Sequence, residues 1–184
     1  MFSTLKLYFD ITLAGRGPED LPVSMPLLGI TTALYIVLFA ALVVVLGAPE
    51  GNWFGQLLVS VAFTLLWLRG MLALFTKSER FLQTASASFG ISLVTLPVAV
   101  PLQLQVMRLM EQSLKVPAGT AAATSPILLL AMPVMLWMFY VQARVLRSAL
   151  EIQMFQVVLL IVAQAIFEFM LLTMIFANST AAAS

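Results

Sequence analysis

The chain contains no cysteine and no histidine. Without cysteine there is no disulfide framework, no thiolate nucleophile and no thiolate metal site. Without histidine it lacks the usual acid/base group of neutral pH and the commonest metal ligand. Charge is nearly as scarce: Asp, Glu, Lys and Arg make up 9% of the 184 residues, against about 25% in an ordinary globular domain. A net charge of +1 supplies no basic field for nucleic acid or another polyanion. No GxSxG, HExxH, phosphate-binding loop or dinucleotide fingerprint occurs. Both aspartates, Asp10 and Asp20, precede the first long apolar run, which excludes a paired-aspartate membrane protease. These absences argue against an enzyme, and no cofactor is expected.

What is present is apolar. Hydrophobic residues make up 62% of the chain and the mean hydropathy is +1.07. That leaves too little polar surface to cover a soluble core, so the chain reads as an all-α, polytopic membrane helix bundle in a lipid bilayer. Runs of about 18 or more apolar residues mark membrane-crossing helices, and five are expected, at about 25–46, 56–75, 82–106, 125–142 and 152–176. The first carries no charge and has Pro22 and Pro26 at its start, where a missing amide costs nothing. The third, LQTASASFGISLVTLPVAVPLQLQV, is small and polar early and holds Pro97 and Pro101; if it failed to cross, the last two spans would invert. The fourth opens on Thr124-Ser125-Pro126, a hydroxyl cap followed by proline, with a kink expected at Pro133.

Residues 1–20 differ in kind. Phe2, Leu5, Phe9 and Leu13 recur at three- and four-residue spacing with Lys6 and Asp10 off that face, which predicts a short amphipathic helix in the membrane interface. Residues 177–184 read as a short, frayed outer tail. With five spans and an inner N-terminus, Lys6, Arg16, Lys77, Arg80, Arg144 and Arg147 fall inside, and only Arg108 and Lys115 outside. Positive residues concentrate on the cytoplasmic side, so the N-terminus is expected in the cytoplasm and the C-terminus outside, in a bacterial inner membrane.

Glu19-Asp20-Leu21 before the first span, then Pro26-Leu27-Leu28, is similar to a degenerate form of the Asp-Leu-Tyr-Gly-Pro segment of the Yip family of small five-span membrane proteins. The Tyr-Gly pair is missing and the spacing to proline is stretched. SERFLQTASASFG leading into the proline-bearing LVTLPVAVPL is similar in character. Eukaryotic Yip proteins associate with Rab GTPases and membrane trafficking. The resemblance implies a compact five-helix bundle with a partner-binding or membrane-organising role rather than catalysis.

Four polar residues of the last span, Gln153, Gln156, Gln164 and Glu168, fall within about 120° at 100° per residue. An ionised Glu168 deep in the membrane costs several kcal/mol unless paired, hydrated or protonated, so the stripe should face protein or water. It could serve hydrogen bonding between helices, a hydrated path, a proton-linked carboxylate or a contact with another subunit. Arg69 sits about 10 Å, at 1.5 Å per residue, from the inner end of the second span. Its stem is long enough to reach the headgroups, and Trp67 nearby suits that edge. Depth disfavours an Arg69–Glu168 pair and better matches Arg69 with Gln156. Arg144, Arg147 and Glu151 stand at i, i+3 and i+7, a topology-setting face with a weak local pair or a docking face for anionic lipid or a partner. The leading expectation is a non-enzymatic scaffold or accessory subunit that binds another membrane protein or its own copy. The alternative is a small transporter or channel along the Glu168 stripe.

Overall fold

The computed structural model describes residues 2–13, 18–47, 51–115 and 126–181. It holds six α-helices and no strand among them: α1 (Phe2–Thr12), α2 (Met25–Val45), α3 (Trp53–Leu74), α4 (Phe81–Lys115), α5 (Pro126–Leu150) and α6 (Met154–Ala181), with single 3₁₀ turns at Pro18–Asp20 and Ser78–Arg80. Helices α2 to α6 are each long and apolar enough to cross a membrane. The Thr124-Ser125 cap lies outside the described residues.

The helix ends follow local chemistry. Ser24 caps α2 by accepting from the Leu27 amide, with Pro26 in the first turn. Asn52 caps α3 through the Gly55 amide at 3.0 Å. Helix α3 closes in a Schellman motif, with Lys77 N–H donating to Leu72 O and Thr76 N–H to Ala73 O. That motif wants a left-handed residue after the cap, usually glycine; here Thr76 takes it, at φ +57°. Helix α4 runs unbroken through Pro97 and Pro101, although each proline strips an amide from the ladder. Thr84, Ser92 and Thr95 turn their hydroxyls back on carbonyls four residues earlier, so their donors are satisfied by nearby backbone.

Alternation of direction is visible in the contacts. The turns around Glu19, Lys77, Arg80 and Glu151 meet at one end of the bundle, the charged end. At the far end, Arg108 of α4 donates to the Leu46 carbonyl that closes α2, at 2.7 Å. A cation suits that site because unpaired carbonyls leave a helix C-terminus negative. Helix α4 therefore runs from the charged end of the bundle to the far end, and it is long and apolar enough to cross a membrane.

Helix α4 is the axis. Every residue from Thr84 to Ile91 is buried, because α1, α2, α3 and α5 all pack on it. The small side chains of Ala85, Ser86, Ala87, Ser88 and Gly90 let backbones approach closely, the usual source of helix association in lipid. Around Ala85 and Phe89 gather Leu28, Leu57, Leu68, Ala143, Leu146 and Val157, so all five spans share one core. Helix α6 is peripheral: among its described side chains only Val157 is fully buried.

Helix α1 docks on the bundle through a second face: Tyr8 and Ile11 are buried against Ala87, Ile91, Val141 and Val145, while Phe9 and Leu13 of the apolar stripe point outward, 48% and 69% exposed. The spacing rule found the helix but not a second, protein-facing side whose anchor is a tyrosine. Tyr8 finds a polar partner in Thr31 of α2 at 3.1 Å. The fifth span does not fray at residue 177, since α6 continues to Ala181.

Candidate functional site: a carboxylate beside a far-end cleft

Helices α3 and α6 run antiparallel: α3 ends and α6 begins at the charged end. Ser60 lies fourteen residues before Leu74, and Glu168 fourteen after Met154. At 1.5 Å per residue both stand about 21 Å from that end. Equal depth is why they meet: the Ser60 hydroxyl donates to a Glu168 carboxylate oxygen. Tyr35 of α2 is close enough to feel the same carboxylate. Arg69 is not. It lies nine residues past Ser60 on α3, which at 100° per residue is the opposite face. It is exposed, about 8 Å from the helix end at 1.5 Å per residue, within reach of the headgroups.

Ser60 lines a cleft of ≈ 380 Å³ between α2, α3 and α4, with Leu172 of α6 also in its wall; Glu168 is not in the lining and is reached through Ser60. Its walls are mostly apolar, from Phe39, Val43, Leu57, Val100 and Leu104, with Gln56 and Gln103 set nearer the far end. Counting along the helices at 1.5 Å per residue, Trp53 and Gln103 lie about 31–33 Å from the charged end, Gln56 about 27 Å and Tyr35 about 15 Å. The cleft thus opens at the far end and stops midway. Beyond it toward the charged end come the packed side chains of Leu68, Leu146 and Val157.

The glutamines of the α6 stripe divide. Gln156 turns its side chain back to accept from the Gln153 amide at 3.1 Å, the third-residue half of a capping box. Both are exposed and serve the helix start, so depth matching with Arg69 does not pair them. Gln164 is half-buried one turn from Glu168. Sequence reasoning passed over Ser60, since one hydroxyl among leucines is ordinary; the signal was its depth, equal to that of Glu168. It also passed over Gln142 of α5, whose amide donates to Ser88 Oγ at 3.1 Å.

At the charged end Glu151 does not pair along its own helix. It leaves α5 at φ +57° and binds Lys77 and Arg80, each at 2.6 Å. These partners, Lys77 first, hold its carboxyl below the usual carboxylate range. Arg80 also donates to the carbonyls of Ser148 and Ala149, which ends α5 with a cation where the helix dipole favours one. Ser148 donates to Glu19, and Gln83 to the Leu21 carbonyl, fastening the segment before α2. Arg144 is half-buried and Arg147 exposed on the last turns of α5. A polar hollow of ≈ 460 Å³ lies among Pro18, Glu19, Arg80, Gln83 and Glu151.

Fold and site together define an integral membrane helix bundle with a polar hollow at its charged end and a mostly apolar cleft in its far half. No family model, no curated protein and no solved structure matches the chain.

Proposed function

We propose that the chain is a non-enzymatic scaffold or accessory subunit of a bacterial inner membrane, which binds another membrane protein or a second copy of itself. The observation that carries this reading is the open side of α6. Its Phe155, Ile166, Phe169, Met170 and Met174 are exposed on the side of the helix not covered by the bundle. Association in lipid draws on packing rather than on hydrophobic transfer, and methionine gives a surface that adapts to a partner. The concentration of Lys6, Lys77, Arg80, Arg144 and Arg147 at one end supports a cytoplasmic N-terminus and an outer C-terminus. The Glu19-Asp20-Leu21 segment, through which the chain resembles the Yip family, is pinned to α4 and α5; a fixed inner surface of that kind suits the partner-binding role the resemblance implies.

The absence of cysteine makes the test direct. Single cysteines at Ile166 and Met170, with Val37 on the outer side of α2 as control, are cross-linked in native membranes and the adducts identified by mass spectrometry. Adducts at the α6 positions alone are expected. Adducts at none of them, or equally at Val37, would refute the reading.

The far-end cleft favours a second reading, a small transporter. Replacing Glu168 by Gln keeps a hydrogen-bond partner for Ser60 and removes the charge. A proton-linked carrier would lose flux in reconstituted vesicles, whereas a scaffold would keep its partner.

A further inference from the structure

We infer that the far-end cleft is a binding site for a hydrophobic amine, with its apolar part between α2, α3 and α4 and its ammonium at Ser60, backed by Glu168. Ligand sites of this size are mostly apolar with a few placed polar groups, and the lining of Phe39, Val43, Leu57, Val100, Gln56 and Ser60 has that composition. The polarity of the floor selects the head group. A serine hydroxyl has one proton to give, and Ser60 gives it to Glu168. What Ser60 then offers the cleft is acceptor lone pairs on an oxygen that already leans on a carboxylate. A donor, and above all a cationic donor, complements that; a carboxylate or phosphate head meets the wrong sign.

Charge complementarity points the same way. A carboxylate at this depth needs a proton, water or a cation, and no described basic side chain supplies one: Arg69 is on the opposite face of α3. Arg108 stands near the mouth, beside Met107, but is held on the Leu46 carbonyl at the C-terminal end of α2, where the helix dipole offsets its charge. Trp53 lines the far end of the cleft and Tyr35 its inner end beyond Ser60, and an aromatic face near either attracts a cation. The inference does not depend on α6 having a partner.

The experiment uses the full chain in nanodiscs, with Trp67→Phe and Trp137→Phe so that Trp53 is the sole reporter. Octylamine is titrated against octanol and octanoate while Trp53 emission is followed. A saturable response to octylamine is expected, at least tenfold weaker in Glu168→Gln and weakened also in Ser60→Ala, with no saturation by octanol or octanoate. Ser60→Ala leaves the carboxylate in place, so it remains a test if Glu168→Gln fails to assemble. The inference is overturned if octylamine does not saturate, if octanol binds as tightly (a cleft for lipid tails), or if neither substitution weakens binding.

Discussion

Replacing Gly90 by alanine should release α1 from the bundle. A methyl group built on Gly90 would overlap Cδ1 and Cε1 of Tyr8 and lie 2.7 Å from Cζ. The ring is 4% exposed and tied to Thr31, so it cannot swing aside without losing that bond. Overpacking of this kind costs about 1–3 kcal/mol. Against it stands what holds α1 down. At the membrane interface the apolar faces of Tyr8 and Ile11 are only partly returned to water on undocking, so the usual transfer energy is reduced. The remaining terms are packing and one hydroxyl contact, the latter about 0.6 kcal/mol by analogy with helix–helix bonds in membranes. The clash is therefore comparable with the docking energy, and α1 should come away rather than the core distort. The assay is maleimide labelling of Ile11→Cys in a chain with no other thiol. Ile11 is 2% exposed, so the cysteine should be protected in the parent chain and reactive once Gly90→Ala is added. Replacing Tyr8 by serine should abolish the difference between the parent and Gly90→Ala backgrounds. Equal protection in both backgrounds, with equal melting temperature, would overturn the account.

Two further outcomes concern the charged end. Thr76→Gly should stabilise the bundle by about 1 kcal/mol, because a left-handed conformation costs a side-chain-bearing residue about 1–2 kcal/mol and the Schellman bonds are made by the backbone alone; a lowered melting temperature would contradict this. Glu151 has a folded-state pKa below its ordinary 4.5, so its contribution is present above pH 4.5 and is lost as pH falls through the lowered value. Because the group is exposed, that loss should be small and should vanish in high salt. Thermal melts between about pH 3 and 6, with and without ~1 M salt, where the screening length is about 3 Å, would show it.

The number of long apolar helices was legible because lipid imposes a length and a hydropathy on any crossing helix. The order of burial was not, and a reader of hydropathy would invert it. The uncharged, leucine- and valine-rich α2 and the apolar α6 lie outermost, while the least aliphatic stretch, Thr84 to Ile91, forms the axis. In water the most apolar residues go inside; in lipid they face the solvent, and closeness of approach decides what goes inside. The small residues of TASASFG carried that information through size, which is why their packing role was readable and their polarity misleading. Ser86 shows the point: its hydroxyl is fully buried with no partner among the described residues, so it sits there for its volume.

The same reasoning explains why the site was half legible. A lone charge in an apolar helix advertises itself by cost, and Glu168 stands at the site for that reason. Its partner does not advertise itself. A hydroxyl in a membrane helix costs little, because it can bond back to its own helix as Thr84, Ser92, Thr95 and Thr173 do. Composition therefore cannot tell a self-satisfied serine from one that serves another helix. Depth can. Counting from helix ends at a common face brings Ser60 and Glu168 level, and the same count moves Arg69 about 13 Å away along α3 at 1.5 Å per residue, on the opposite side. Glu168 rests on a hydroxyl rather than a guanidinium. A carboxylate fully paired with a cation inside the protein would have nothing left for a ligand; the proposed amine site depends on Ser60 being the described partner that Glu168 has.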